Sequence, residues 1–256
     1  MTALRRNRLV DLLSAVNLAT VHPGLWLMRG LADYPQKGGD NGNAGGGGAK
    51  AEHIKKMCQF KPSEVYKAAF ERWKRMTQDP QRFRNFQGTL EGRLYVGVTR
   101  DNALETGVTV SHTYGMPMIP GSAVKGACRA AALHWEMNQA TLRWIFGHDA
   151  KDKDDPEQGG LVFHDAWWVA EDHPPFVSEI VTVHHQEYYG SEGVDPPTDF
   201  DSPIPAPQVA VCGSFYFVVE GSPVMAEAVT GLLKTVLTTR GIGAKRSSGY
   251  GFFSGS

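Results

Sequence analysis

The chain has 256 residues, of which 41% are hydrophobic and 10% aromatic, and a formal charge of -1 from 26 basic and 27 acidic side chains. That is enough apolar material for one large domain or two small ones, and it excludes wholesale disorder. The near-neutral balance excludes a protein that coats nucleic acid with its whole surface, so any polyanion site must be a local cationic patch.

Three such patches stand out: Arg5, Arg6 and Arg8; Arg72, Lys74 and Arg75; and Arg240, Lys245 and Arg246. The first two read as solvated faces. Cys58, Cys128 and Cys212 lie far apart with no CxxC spacing, which argues against a structural zinc site or a disulfide framework and fits a reducing compartment. No run reaches the ~20 apolar residues of a membrane span. The opening MTALRRNRLVDLLSAVNLATVHPG reads as an amphipathic structural helix, since Asp11 and Asn17 interrupt its apolar part. A cytoplasmic protein with no membrane partner is expected.

In chain order, GGDNGNAGGGGAKAE (38–52) is expected to be a flexible loop; it lacks the GKS or GKT of a phosphate-cradling loop. PSEVYKAAFERWKRMTQD (62–79) predicts a helix capped by Ser63. TLEGRLYVGV (89–98) predicts a strand, and GSAVKGACRAAALHWEMN (121–138) a helix with Val124, Ala127, Cys128, Ala131 and Trp135 on one stripe. After the charged KDKDDPEQ, residues 159–170 predict a strand, and 208–221 a second one bent at Gly213. Residues 222–241 predict a helix that Gly241 stops, and SGYGFFSG (248–255) a last short strand.

The order β-α-β-β-α-β predicts an α+β, ferredoxin-like fold of the kind that underlies the RNA-recognition motif. An N-terminal helical extension (1–87) would carry the Gly-rich loop, and 88–256 would be the main domain, with a long Pro-rich insertion at 171–207.

Two segments carry candidate chemistry. In MPMIPGSAVKGACRAA (116–131), Gly121 and Ser122 sit where a helix begins, with Ser122 the expected N-cap. Lys125 and Arg129 share a face, and Gly126 allows close approach to the backbone. Unpaired N–H groups and the helix dipole would favour a phosphate there. The same residues also read as an ordinary helix start with two exposed cations. In GIGAKRSSGYGFF (241–253), Gly241 and Gly243 permit positive φ and expose successive N–H groups as an anion-binding nest. Lys245 and Arg246 add charge, Ser247 and Ser248 add hydroxyls, and Tyr250 either stacks on a base or fills the core. The two segments are expected to meet in one electropositive cradle.

These segments resemble the RAMP superfamily, the RNA-binding proteins of CRISPR systems: IPGSAVKGACR is similar to its helix-start signature and GIGAKRSSGYG to its C-terminal glycine-rich loop. NALETGVTVSHTYGMPMIPGSAVKG (102–126) and HHQEYYGSEGVDPPTDFDSPIPAP (184–207) resemble the subunit-six family of the type III-B CRISPR (Cmr) effector complex, with Val183 where that family often has Pro. The resemblance spans about 95–253 and covers the N-terminal part weakly.

It implies a non-catalytic subunit that binds CRISPR RNA and caps the 3′ end of the guide filament. Its partners would be other Cmr subunits, including the backbone RAMP subunits, and target RNA in the assembled complex. Gly121, Ser122, Lys125, Gly126, Arg129, Gly241, Gly243, Lys245, Arg246, Ser247, Ser248, Gly249, Tyr250 and Gly251 would contact RNA, and Arg100, Asn102, His112, Tyr114, His184 and His185 would position it.

The alternative is a RAMP endoribonuclease using Asp101 with a metal, or His112 as a metal-independent general base. His184, His185 and Glu187 mimic a metal cluster but lack the HExxH spacing, and Asp165 reads as a buried, hydrogen-bonded carboxylate. No cofactor and no metal are expected.

Overall fold

The computed structural model describes residues 21–31, 45–98, 104, 106–148, 158–183, 188, 194, 196–198, 201 and 203–254. Three helices precede the main sheet. Pro23 opens α1 (Pro23–Arg29), whose first turn is capped by His22 Nδ1 accepting from Leu25 N–H at 3.2 Å. Helix α2 (Gly45–Met57) begins inside the glycine run, so 45–52 are helical where a loop was expected, and 38–44 lie outside the described residues. Its second half supplies the reason: His53, Ile54 and Met57 are buried on one side, and tertiary packing overrides poor glycine propensity. In α3 (Glu64–Met76), the expected Ser63 cap accepts from Tyr66 N–H at 3.2 Å.

The main sheet has strands β1 (Phe83–Leu90), β2 (Met118–Ile119), β3 (Val162–Phe163), β4 (Ala166–Trp168), β7 (Ser214–Glu220) and β8 (Phe253–Ser254). Their order is β2-β4-β7-β1-β8, β3 also pairs with β7, and every pairing is antiparallel. Between them lie α4 (Gly121–His134), α5 (Gln139–Phe146) and α6 (Pro223–Thr239). A separate two-stranded ribbon joins β5 (Phe176–Val183) to β6 (Ile204–Val211), running from Phe176↔Val211 to Val183↔Ile204. The chain is therefore α+β with a mainly antiparallel sheet.

Strand β7 is buried at every position from Ser214 to Val219, so both sheet faces are covered. Alternation sorts its side chains. Phe215, Phe217 and Val219 join the main core with Val124 and Cys128 of α4 and Leu233 and Leu237 of α6. Tyr216 and Val218 point the other way, toward Phe70 and Trp73 of α3.

Several boundaries differ from the sequence reading. The first strand is 83–90, not 89–98; Leu94 and Tyr95 make only isolated bridges, to Val211 and Ala244. The apparent bend at Gly213 (φ 98°) is a change of sheet, with β6 in the ribbon and β7 in the main sheet. The 159–170 strand breaks at His164 and Asp165. The predicted 121–138 helix ends at His134, and Asn138 caps the additional α5 by accepting from Ala140 N–H at 2.8 Å. The 171–207 insertion contains β5 and the start of β6, where Pro205 and Pro207 sit opposite Thr182 and Ile180.

Candidate nucleic-acid interface

The segment after α6 is a built loop. Gly241 N–H donates to Val236 O at 2.9 Å and ends the helix, as expected of that glycine. Ile242 N–H reaches Gly251 O at 2.9 Å, Ala244 N–H reaches Tyr95 O at 2.9 Å, and Gly251 N–H reaches Arg93 O at 2.8 Å. These bonds bring backbones so close that side chains are excluded. A Cβ on Gly243 would lie 2.4 Å from Tyr95 O, and one on Gly251 only 1.9 Å from Ile242 O. The glycines are thus required by the pairing of the loop with 93–95.

Lys245 adopts a left-handed conformation (φ 57°, ψ 32°), and Arg246–Ser248 form one tight turn. Among the described hydrogen bonds, the N–H groups of Gly243, Lys245, Arg246 and Ser247 have no protein acceptor. Lys245, Arg246, Ser247 and Ser248 are exposed. Lys245, Arg246 and Ser247, with Arg240 and Phe252, border an open basin of about 750 Å³ that no carboxylate lines. Among the described residues, none of Arg240, Lys245 and Arg246 forms an ion pair. Free cations and successive free N–H groups on one concave surface form an anion-binding arrangement.

Tyr250 is anchored. Its ring packs on Tyr95 with centroids 4.7 Å apart, and its hydroxyl donates to Glu179 of β5 at 3.3 Å. Glu179 also pairs with Arg93. Desolvation, reinforced by the Glu179 carboxylate, raises the Tyr250 pKa, so the phenol stays a donor at neutral pH.

The start of α4 differs from expectation. Pro120 occupies the N-cap position, and no side chain of that residue or of Ser122 caps the helix; Ser122 is exposed. The first N–H, on Gly121, instead donates to Asp165 Oδ1 at 2.7 Å. Asp165 is exposed rather than buried, and it lies in the break between β3 and β4. A carboxylate therefore already occupies the positive end of this helix. Gly121 is fixed by packing, since a Cβ there would sit 2.0 Å from Phe163 O. Gly126 is different: it is exposed, and a Cβ would meet nothing within 4 Å. Lys125 is half-buried and Arg129 exposed.

The basin at the glycine loop is not lined by residues of the α4 start. Strand β2 leads into α4 at one end of the sheet order, and the glycine loop leads into β8 at the other. A second route links them: Ala244 N–H donates to Tyr95 O, Thr109 N–H to Val96 O and Met118 N–H to Thr109 O, so backbone hydrogen bonds run from the glycine loop to the strand that opens into α4. Arg129 lines a different depression, with Arg143 and His148; α5, which brings them there, was not anticipated.

Among the expected positioning residues, His112 is exposed in the 111–116 turn. Because His22 Nδ1 accepts from Leu25 N–H, its Nε2 carries the proton and donates to His112 O at 3.0 Å. Tyr114 packs against Tyr66 and Trp167, each at 5.7 Å between centroids. Arg100, Asp101, Asn102, His184, His185 and Glu187 lie outside the described residues. Within the described residues no three His, Cys, Asp or Glu side chains gather as metal ligands. The three cysteines are free thiols; burial pushes Cys58 up to about 11 and Cys128 up to about 12.

The antiparallel α+β fold and its basic glycine loop define a class. The family model of the RAMP superfamily matches residues 45–254, and the chain belongs to that superfamily. In sequence it is 28% identical over 247 residues to the CRISPR system Cmr subunit Cmr6 of Pyrococcus furiosus, an alignment covering 72% of this chain and 73% of that protein. Its fold resembles a chain of the type III-B Cmr-beta complex solved by cryo-EM bound to cognate target RNA, with a TM-score of 0.64 at 20% identity, covering 80% of this chain and 70% of that one. The crystal structure of Cmr6 from Pyrococcus furiosus is 26% identical, covers 68% of this chain and 99% of that one, and aligns with a TM-score of 0.40. Among the described residues no helix is long and apolar enough to cross a membrane.

Proposed function

We propose that this chain is a Cmr6-like subunit of a type III-B CRISPR effector, which holds CRISPR RNA by its phosphates without cutting it and caps the 3′ end of the guide. The carrying observation is the open basin where Arg240, Lys245 and Arg246 meet unpaired backbone N–H groups with no carboxylate among them. Phosphate contacts position a strand without reading its bases, so sequence preference is low. The partners in this reading are CRISPR RNA, neighbouring Cmr subunits including the backbone RAMP subunits, and target RNA in the assembled complex. Similarity to the Cmr subunit over most of both chains supports it.

The core reads as ferredoxin-like: α4 and α6 each connect two strands, and the path β4-β7-β1-β8 gives the interleaved order of that fold. The N-terminal extension then ends before Phe83 rather than at residue 87, because Phe83–Leu90 is one strand. The candidate contacts at Ser122, Lys125, Gly126 and Arg129 become a second point on the RNA path.

The test is the salt dependence of RNA affinity for Lys245→Ala and Arg246→Ala. Each lost phosphate contact lowers the log–log slope by about 0.7 for a single strand. Slopes equal to that of the parent protein would overturn the reading. Incubation of the purified protein with labelled RNA and Mg²⁺ is expected to leave the RNA intact. Cleavage that disappears in Asp101→Ala would establish the endoribonuclease alternative.

A further inference from the structure

We propose that the depression between α4 and α5 is a second binding site for the ribose-phosphate backbone of single-stranded RNA. The proposal rests on the RNA-binding reading above and adds a site that the glycine loop does not reach.

The depression measures about 260 Å³, and Arg129, Gln139, Arg143 and His148 line it together with Leu133. No carboxylate lines it. Neither Arg129 nor Arg143 forms an ion pair among the described residues. The fold holds this arrangement firmly. Leu142, Ile145 and Phe146 are buried and set the rotation of α5 about its axis, which leaves Arg143 exposed. Gly147 then turns the chain at φ 77°, its N–H donating to Arg143 O at 2.8 Å, and His148 follows on the rim.

Like charges gathered on a concave surface repel one another unless an anion is shared between them. Two guanidinium forks and an amide match the oxygens of a phosphodiester, which accepts planar, bidentate donors. Apolar surface lies beside the charge: Leu133, which lines the depression, is 45% exposed, and Trp135, just past α4, and Trp144 of α5 are accessible nearby in sequence at 44% and 49%. Cations next to accessible aromatic rings suit a strand that offers phosphates and stackable bases in alternation.

The test uses the full-length protein, a fluorescent oligouridine RNA and affinity read against salt. It compares Arg143→Gln and Arg129→Gln/Arg143→Gln with Lys245→Ala/Arg246→Ala. Each arginine removed is expected to lower the salt slope by about 0.7, independently of the loop variants. Photo-crosslinking to RNA carrying 4-thiouridine is expected to label peptides within 129–148, a readout that a purely structural role would not produce. If the loop variants lower the slope but the arginine variants do not, and no crosslink maps to 129–148, the second site is overturned and the loop reading stands. If neither set changes the slope, both are overturned. If Arg143→Gln keeps RNA affinity but loses co-assembly with another subunit, the depression binds an acidic protein surface and the proposal is overturned.

Discussion

The Tyr250 hydroxyl donates to Glu179 across 71 residues of sequence, and the same carboxylate pairs with Arg93. Arg93 in turn supplies the carbonyl that accepts Gly251 N–H at 2.8 Å. The C-terminal end of the glycine loop is thereby fastened to the β5–β6 ribbon through Tyr250 and Gly251. Glu179→Gln should keep the fold but loosen this fastening. Amide exchange at 242–251 should quicken, and the Tyr250 pKa should fall, because the Glu179 charge is one cause of its rise. Exchange mass spectrometry and ultraviolet titration of the tyrosines check the two outcomes.

Asp165→Ala removes the acceptor at the first N–H of α4 and should cost about 1 kcal/mol, the usual effect of losing a helix cap. Ser122→Ala, at a position that caps nothing, should change stability by less than about 0.5 kcal/mol. Thermal or urea unfolding separates them; equal effects would contradict the assignment of the cap.

Glu220 sets an acid limit. Burial alone raises its pKa, but His164 Nε2 at 2.8 Å and the Arg82 guanidinium at 2.6 Å outweigh it, and the net shift is downward from 4.5. A carboxylate whose folded pKa is depressed stabilises the fold above its unfolded pKa and loses that contribution as pH falls through the folded value. Glu220→Gln should therefore be less stable than the parent near pH 7, and the gap should close as the pH drops below about 4.5. Unfolding midpoints measured from pH 3 to 7 check this.

Gly126→Ala and Gly251→Ala should behave oppositely. A methyl at 126 meets nothing, so alanine there should stabilise α4 by about 0.5–1 kcal/mol. At 251 it would collide with Ile242 O at a φ of 78°, and should destabilise by more than about 1 kcal/mol. If RNA approaches α4 closely, Gly126→Ala should also weaken RNA binding while raising the melting temperature.

Local chemistry made part of this fold readable. Ser63 before an amphipathic run, Gly241 after one, and a glycine-rich basic loop each announce themselves within a few residues. Strand β1 stayed hidden because Arg84, Asn85 and Gln87 interrupt its apolar positions, and its place in the sheet comes from pairing with β7, more than 120 residues away. The Asp165 cap was out of reach for the same reason: it lies 44 residues along the chain from the N–H it accepts. The basin at 240–247 was legible as a charge cluster. The depression that Arg129 shares with Arg143 was not, since it depends on α5 packing against α4.

The two-residue strands β2 and β8 end the strand path of the main sheet. Each border offers too few free amides to template an incoming strand, which guards against edge-to-edge polymerisation. Neither end of the main sheet can then extend into a neighbouring molecule as a continuous hydrogen-bonded ladder.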